Sequence, residues 1–515
     1  MAFQTPEQLN LLITGYFFMV LGALCSYYFV FLWSGSSSFG RKLPPGPRAL
    51  PIVGNLHQLA GKHPHRAIAD MAQKYGHIVF LRLGQVPTVV IDSMDLISQV
   101  TKDLDNVFCS RPTNTFTRIL LYDQHDFGMA PYGAHWRHMR RVCVHEILTP
   151  KRLLSTTSIR NEENLLVIKT IGVAAEQGKA VDIREKFTDL SLNVIIRLMI
   201  GSQGGHLHEL KRFVHEALRL LGVMPIQDFI PFLGWLDPNG AVKAMHQVHQ
   251  VQDHKLNIII QEHRDLASGK LPGGKPDDFV SVLLDTPGVN GEPQLDEKAI
   301  KACISDLLAG TDTSTITNDW AMTEIIRHPK IQQKLHDELD SVVGRDRIVE
   351  ETDLVKLHYL ICIIKETLRL HPANCFTLPR QSMEDTKLAG YDIPKGSTIL
   401  FNLFSIGRDA DVWTDPLKFD PERWADSSNP SGLVDERLYV FGAGRRACPG
   451  YNLGTTLVLL SLARLFHGFT WSLPPGVFAD DIDMSETAGF ANPRKDRLLA
   501  VPKPRIAPHL YGGAT

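Results

Sequence analysis

The sequence lacks paired cysteines, a charge excess of either sign and a nucleotide-binding glycine motif. Its seven cysteines are scattered without a C-x-x-C pair, so we expect neither a disulfide framework nor a cysteine zinc site. The formal net charge is −2 over 515 residues, which argues against a nucleic-acid-binding function. There is no P-loop, and no G-x-G-x-x-G follows a strand and opens a helix. We therefore expect no nicotinamide or flavin domain in this chain.

Charge is also absent from Leu11 to Trp33. As a helix this run would reach about 34 Å, enough to cross the hydrocarbon core of a bilayer. Basic residues follow it, at Arg41, Lys42 and Arg48, which predicts that the rest of the chain lies on the cytosolic side. A cleaved signal peptide is the alternative, although its apolar core is usually shorter and follows basic residues. The resulting division is a luminal N-terminus at 1–10, a transmembrane anchor at 11–33, a Pro/Gly-rich hinge at 34–54 and one large domain at 55–515.

The large domain is predicted to be mainly helical. Alternating β-branched residues predict a hairpin at His77–Ser93, and a second strand-rich region covers Phe376–Phe404. Helical spacing of apolar residues recurs in four long segments: Asn161–Ala175, Lys186–Ile200, Leu207–Leu221 and Ala241–Ala267. The fold class expected is mainly α with smaller β-sheets, an α+β arrangement.

The longest helical run extends from about Leu295 to His328 and is stopped by Pro329. Its centre contains Gly310 followed by three hydroxyl residues within four positions. A glycine inside a helix costs about 1 kcal/mol, and Ser and Thr are poor helix formers. A helix weakened at its centre favours a functional kink or a ligand approaching closely. A groove in which another helix packs explains the same residues.

A cysteine with unusual neighbours lies near the C-terminus. Cys448 is preceded by two glycines and two arginines and followed by Pro449 and Gly450. The glycines allow the backbone to approach a flat group closely, and the arginines bring positive charge beside it. A haem iron held by a cysteine thiolate fits this combination.

Two further groups of residues are weak indicators when taken singly. Glu366 and Arg369 share a helix face, and Arg423 lies in a later segment. Such a pair is most often a surface ion pair that contributes little. Trp136 and Arg140 also share a helix face, where packing and solvation are the ordinary explanation.

Together these segments resemble the cytochrome P-450 family of haem-thiolate monooxygenases over essentially the full chain. The resemblance rests on five patterns in the family's order: Trp136-x-x-x-Arg140, Ala309-Gly310-x-Asp312-Thr313-Ser314, Glu366-x-x-Arg369, Pro421-Glu422-Arg423-Trp424 and Phe441-x-x-Gly444-x-Arg446-x-Cys448-x-Gly450. The Pro-rich hinge and the Asp312-Thr313-Ser314 variant are similar to the plant microsomal A-type group.

The resemblance implies a cytochrome P-450 fold with haem b beneath the long central helix. Cys448 would be the iron ligand, and Gly310, Asp312 and Thr313 would serve dioxygen activation and proton delivery. The other residues implied to bind the cofactor are Trp136, Arg140, Arg380, Arg446, Phe441, Gly444 and Gly450. Glu366, Arg369 and Arg423 match the family's structural triad. The resemblance also implies electrons from NADPH through a separate NADPH–cytochrome reductase, and a place in the endoplasmic reticulum membrane.

The family's substrate-contact segments predict a mostly apolar pocket with a few polar groups. Its candidate contacts are Phe116, Leu120, Asp306, Ala309, Asn374, Phe376, Leu378, Thr487 and Phe490. A small lipophilic molecule of plant specialised metabolism fits: a phenylpropanoid, flavonoid, terpenoid or fatty acid. The leading hypothesis is hydroxylation with one atom of O2. A haem-thiolate isomerase or dehydratase and a non-catalytic haem-binding protein are the alternatives, and the Asp312-Thr313 pair argues against both.

Overall fold

Helices form most of the computed structural model. It describes residues 14–27, 40–61, 63–201, 207–289, 294–426, 432–435, 437–487, 489 and 491–511. Residues 14–27 are helical, and the other α-helices are Leu56–Leu59, Pro64–Tyr75, Met94–Ser98, Asp105–Phe108, Thr115–Leu120, Ala134–Val142, Pro150–Ser155, Thr157–Glu176, Ile183–Ile200, Leu207–Leu221, Ala241–Ala267, Phe279–Asp285, Glu297–Ala309, Thr311–Arg327, Pro329–Val342, His358–Leu370, Leu403–Ile406 and Tyr451–Gly468.

Short turns of other helix types connect these elements. Two are π-helical, Gln99–Asp103 and Cys143–Ile147. The 3₁₀ turns described are Ile226–Asp228, Pro231–Leu233, Glu351–Lys356, Pro421–Trp424, Gly444–Arg446, Ala479–Asp481 and Pro508–Tyr511.

Within the described ranges the strands form three small sheets. In chain order they are β1 (Ile78–Leu83), β2 (Val86–Ile91), β3 (Val181–Asp182), β4 (Arg380–Gln381), β5 (Thr386–Leu388), β6 (Tyr391–Ile393), β7 (Thr398–Phe401), β8 (Phe469–Ser472) and β9 (Leu499–Pro504). The largest sheet has the order β1-β2-β7-β4, the second β3-β9-β8, and β5 pairs with β6. In the largest sheet, Val89 pairs antiparallel with Phe80 and parallel with Ile399. The predicted hairpin at 77–93 and the strand-rich region at 376–404 are both confirmed.

The helix Thr311–Arg327 lies at the centre of the core. It packs between the helices Ile183–Ile200 and Tyr451–Gly468. Asn318 Nδ2 donates to Ser461 Oγ at 2.9 Å, and Arg184 holds the fully buried carboxylate of Asp319 at 2.8 Å. Polar bonds within an apolar core fix the register of the packed helices, because an unmade bond there is costly.

The predicted long central helix is divided in two. The helices Glu297–Ala309 and Thr311–Arg327 meet at Gly310, whose N–H donates to Leu307 O at 3.2 Å. The neighbouring hydroxyls also bind backbone carbonyls three residues earlier, Thr311 to Leu308 at 2.9 Å and Thr313 to Gly310 at 3.2 Å. Such side-chain bonds compete with the regular helix pattern. The expected weak point therefore lies at Gly310.

The structure describes only part of the predicted N-terminal anchor and hinge. Of the anchor at 11–33, the structure describes residues 14–27. Within the described ranges, no helix combines the length and the apolar character needed to span a bilayer. The described part of the hinge is docked on the body: Phe80 N donates to Pro45 O at 2.9 Å, and Asp392 N donates to Lys42 O at 2.7 Å. A Cβ at Gly46 would overlap Phe80 O, so glycine permits this docking.

Candidate active site

One internal cavity brings the predicted chemical groups together. It has a volume of about 410 Å³, and Cys448, Gly310 and Thr313 all line it. Of the other predicted site residues, those that line it are Arg140, Arg380, Arg446, Phe441, Gly450, Phe116, Leu120, Asp306, Ala309, Asn374, Phe376 and Leu378. Segments far apart in sequence therefore converge on one mostly apolar space.

The loop that carries Cys448 is held in a tight conformation. Cys448 N donates to Phe441 O at 2.8 Å and closes the loop. Gly444 has φ +66°, and a Cβ there would overlap the Asp105 carboxylate, so only glycine fits. The Phe441 ring packs edge-on against Tyr451, with the centroids 4.9 Å apart. The helix Tyr451–Gly468 begins directly after the loop, so the position of Cys448 is fixed by the core.

Cys448 is surrounded by protein yet keeps accessible surface. Since it lines the cavity, that surface faces the cavity rather than the outside. Burial raises the pKa of its thiol, while a backbone hydrogen bond from Gly450 and the charge of Arg140 lower it. A thiol in this environment becomes a stable thiolate when it coordinates a metal cation.

Arg446 carries an unsatisfied donor in the cavity wall. Its Nε and Nη2 donate to Cys109 O at 2.6 Å and Ala130 O at 2.7 Å. Among the described residues, its buried Nη1 has no hydrogen-bond partner. Burial lowers its pKa to about 10, so it remains a cation. A buried donor of this kind calls for an anionic acceptor, and a propionate of a haem bound in the cavity would supply one.

Two other predicted arginines, Arg380 and Arg140, line the cavity and donate hydrogen bonds to other protein groups. Arg380 donates to Asp105 Oδ1 at 3.0 Å and to Ala443 O at 2.6 Å. Arg140 Nη2 donates to Ala447 O at 2.6 Å. These bonds tie both arginines to the Cys448 loop and place two further cations on the cavity wall.

Arg111 is a cavity residue that was not predicted. It is 4% exposed and donates to Gly128 O at 3.0 Å and to Leu378 O and Pro379 O at 2.8 Å each. It lines the same cavity as the other arginines. An isolated arginine has no periodicity or motif spacing that distinguishes it in the sequence, so Arg111 could not be identified as a cavity residue before its contacts were known.

Trp136 and Gly444 were predicted to bind the cofactor, but the structure does not place them on the cavity wall. The Trp136 N–H donates to Phe127 O at 2.9 Å, and its ring lies 4.2 Å from the Arg446 guanidinium. Trp136 therefore supports Arg446 by a cation–π contact. Gly444 acts by letting the loop approach Asp105.

The Asp306 carboxyl was predicted to contact substrate, and it also holds a loop. Its Oδ2 accepts from Gly128 N at 2.8 Å. Burial and the neighbouring carboxyl of Asp126 raise the pKa of Asp306 well above its usual range. Asp306 thus lines the cavity and fastens the loop at Gly128 to the helix Glu297–Ala309.

Two more predicted residues lie away from the cavity wall, and one is outside the description. Asp312 lies near Arg184 and His215, where burial raises the pKa of its carboxyl. Thr487 N donates to Pro493 O at 2.9 Å within its own loop, and neither residue lines the cavity. Phe490 lies outside the described residues.

The structure brings the predicted triad together in the core. The Glu366 carboxylate accepts two bonds from Arg369 at 2.8 Å and one from Arg423 at 2.9 Å. Trp424 Nε1 and Asp420 N add bonds at 2.9 Å and 2.8 Å. Glu366 and Arg369 have no exposed side-chain surface. This is a buried network that fixes the segment before the Cys448 loop, not a surface ion pair.

Replacing Arg446 by methionine is expected to weaken haem retention. The variant loses the unpaired donor and the two bonds that position it, to Cys109 O and Ala130 O. It keeps an apolar side chain beside Trp136, and we expect haem to dissociate about tenfold faster. Haem transfer to an excess of apomyoglobin measures the rate. Arg445→Met is the matched control, because Arg445 is adjacent but its side chain is 46% exposed. Equal rates for both variants and the wild type would remove Arg446 from haem binding.

A cavity-facing cysteine, converging arginines and a broken helix define a haem-thiolate protein. Comparisons agree: the family model for cytochrome P-450 matches residues 44–501. Cytochrome P-450 703A2 of Arabidopsis thaliana is 41% identical over 502 residues, covering 94% of this chain and 97% of the relative. Flavonoid 3'-monooxygenase of Petunia hybrida is 38% identical over 498 residues, covering 92% and 96%.

A solved structure matches the fold. A zebra fish cytochrome P-450 with progesterone superposes with a TM-score of 0.73 at 23% identity, covering 86% of this chain and 99% of its own. The chain belongs to the cytochrome P-450 family, whose iron is held by a thiolate. It is a monooxygenase, an oxidoreductase.

Proposed function

We propose that this monooxygenase hydroxylates a small lipophilic substrate with one oxygen atom from O2. The observation that carries the proposal is that Cys448 and Thr313 line one mostly apolar cavity. Haem bound through Cys448 supplies the dioxygen chemistry. The chain's own residues exclude water, orient the substrate and hold a hydroxyl where protons are needed.

The proposed substrates belong to plant specialised metabolism, as a flavonoid or other phenylpropanoid or as a fatty acid. Relatives named flavonoid hydroxylases, 37–38% identical, support the first class, and the apolar walls suit both. Absorbance titration with naringenin and with dodecanoic acid separates them. The true class shifts the haem spectrum at low concentration and gives a hydroxylated product, and the other does not.

Electrons are proposed to come from NADPH through a membrane-bound NADPH–cytochrome reductase, at the cytosolic side of the endoplasmic reticulum. The uncharged run Leu11–Trp33 and the absence of a dinucleotide-binding motif in the sequence support this. Product formation that needs NADPH, reductase and O2 together is expected. Turnover of a peroxide substrate without NADPH would favour the isomerase or dehydratase instead, and haem binding without any turnover would favour a binding protein.

Thr313 is proposed to hold a proton donor beside the reacting oxygen. Its side chain is exposed to the cavity, whereas Asp312 lies behind it near Arg184 and His215. The Asp312 carboxyl, next to the Thr313 hydroxyl in the chain, would pass protons from groups outside the cavity to that hydroxyl.

Thr313→Ala is expected to lower product formed per NADPH by about tenfold to a hundredfold and to raise peroxide release. NADPH use, peroxide and product are measured in one reaction. Thr313→Ser should keep most of the coupling, since it keeps a hydroxyl. Thr315→Ala is the matched control, because the Thr315 hydroxyl bonds Phe187 O instead of lining the cavity. Unchanged coupling in Thr313→Ala would remove Thr313 from the mechanism.

A further inference from the structure

Residues 372–378, called here the wall segment, form one wall of the cavity, and all of them except Cys375 line it. Its lining residues are Pro372, Ala373, Asn374, Phe376, Thr377 and Leu378. The second half is held by β7 and the residues that follow it: Thr377 N donates to Phe401 O at 3.2 Å, Phe376 bridges to Asn402, and Phe404 N donates to Cys375 O at 3.3 Å. The first half has no strand beside it among the described residues.

Asn492 occupies the place of the missing strand. Its N–H donates to Ala373 O at 2.8 Å, and its Oδ1 accepts from Cys375 N at 2.9 Å. These two bonds reach residues i and i+2 on one edge of the wall segment, as a strand partner would. Asn492 is 3% exposed and does not line the cavity. It acts from behind the wall.

The same asparagine is fixed to two other elements. Trp320 Nε1, on the central helix, donates to Asn492 O at 3.1 Å, and Asn492 Nδ2 donates to Thr487 O at 3.2 Å. Trp320 also stacks on His371, just before the wall segment, with the rings 4.0 Å apart and 4° from parallel. Asn492 therefore ties the wall segment to the helix that carries Thr313.

The residues around Asn492 are anchored from the opposite side by Glu486. Arg66 binds this carboxylate with two bonds of 2.7 Å, and His65 Nε2 lies 2.7 Å from it. His63, His65 and Glu486 have the composition of a metal site, but the guanidinium already occupies both carboxylate oxygens. These bonds make the cluster a structural anchor, and the bridge between Glu486 and Arg494 joins it to the segment that carries Asn492.

We propose that Asn492 is a positioning residue for substrate: it sets the place of the wall segment and so decides which carbon of the substrate faces the reacting centre. This inference depends on the proposed function only in taking the bound molecule to be a hydroxylation substrate. The distance between the wall segment and the bound substrate matters, because a small displacement of the substrate changes both its affinity and the carbon that it presents for reaction.

Asn492→Ala removes the bonds to Cys375 and Thr487 and keeps the backbone bonds. Two haem-ligating probes of different size report on it without any turnover: 4-phenylimidazole, whose phenyl ring extends into the cavity beyond the ligating ring, and imidazole, which lacks that ring. We expect the Kd of 4-phenylimidazole to rise about tenfold while that of imidazole stays unchanged. Hydrogen exchange of residues 373–377 should also become faster.

Two further variants make the experiment decisive. Asn164→Ala, the control, removes a different buried asparagine, whose Nδ2 donates to Arg160 O at 2.9 Å in its own helix, and its Kd ratio should stay at the wild-type value. Asn492→Asp is isosteric and keeps the acceptor for Cys375 but loses the donor to Thr487 O. It should show a smaller shift in the same direction, measured on the haem-loaded fraction. An unchanged Kd ratio in Asn492→Asp and Asn492→Ala, or an equal change in Asn164→Ala, would overturn the inference.

Turnover separates this inference from the proposed function. Where the wild type hydroxylates naringenin or dodecanoic acid, Asn492→Ala should broaden the distribution of product regioisomers. No hydroxylation of any probe by the wild type with NADPH, reductase and O2 would count against the proposed function alone, because the Kd ratio and the exchange rates are independent of turnover.

Discussion

Cys448→Ser is expected to abolish the red-shifted Soret band of the reduced, carbon monoxide-bound protein and to lower hydroxylation by more than about a hundredfold, since even outer partners of a metal ligand contribute 10–100-fold. Serine has nearly the same shape, so the closed loop from Phe441 to Cys448 should persist. What is lost is the thiolate, whose electron donation favours O–O cleavage. Difference spectra and product formation with reductase measure the two effects.

Cys362→Ser is the matched control. Cys362 is half-buried and does not line the cavity, so its spectrum and activity should match the wild type. A Cys448→Ser variant that keeps the red-shifted band would show that another residue holds the iron.

Glu366→Gln is expected to prevent accumulation of folded, haem-loaded protein. The carboxylate is fully buried and receives bonds from Arg369, Arg423 and Trp424. A neutral amide leaves the fully buried Arg369 guanidinium without its counter-charge, which costs about 3–5 kcal/mol. Because a folded domain is stable by only about 5–15 kcal/mol, this is a large fraction of the total. Carbon monoxide-binding yield and the urea midpoint of unfolding measure the loss.

Glu422→Gln makes the same chemical change within the same short turn as Arg423. Glu422 is exposed and pairs with Lys334 on the surface. The free energy of unfolding should therefore fall by no more than about 1 kcal/mol, with a correspondingly small change in the urea midpoint. Equal midpoints for Glu366→Gln and Glu422→Gln would contradict the structural role of the triad.

The sequence was informative where local pattern and chemistry coincide. Alternation along residues 77–93 predicted the hairpin, since one face of a sheet must be buried. The glycine and hydroxyl content at 310–314 indicated a weak point in the predicted long helix, since those residues weaken helical bonding, but it did not decide between a kink and a packing groove. Cys448 could be recognised because a thiolate loop needs glycines at positions that exclude a side chain.

Residues that act through distant partners could not be predicted in the same way. The bonds of Asn492 to Cys375 and Trp320 join positions 117 and 172 residues apart, and no spacing rule links them. Arg111 likewise reaches Leu378 across 267 residues. The family resemblance predicted that Trp136 binds the cofactor, and the structure adds a contact that no spacing rule shows, between the Trp136 ring and the Arg446 guanidinium. The apolar lining indicates a lipophilic substrate without selecting one, because hydrophobic contacts carry little directional information.

The most direct test of haem-thiolate ligation by Cys448 is the spectrum of the reduced, carbon monoxide-bound full-length protein. The structure predicts the red-shifted Soret band of thiolate ligation, lost in Cys448→Ser and kept in Cys362→Ser. A band at the position of histidine-ligated haem, in folded and fully haem-loaded wild-type protein, would contradict it.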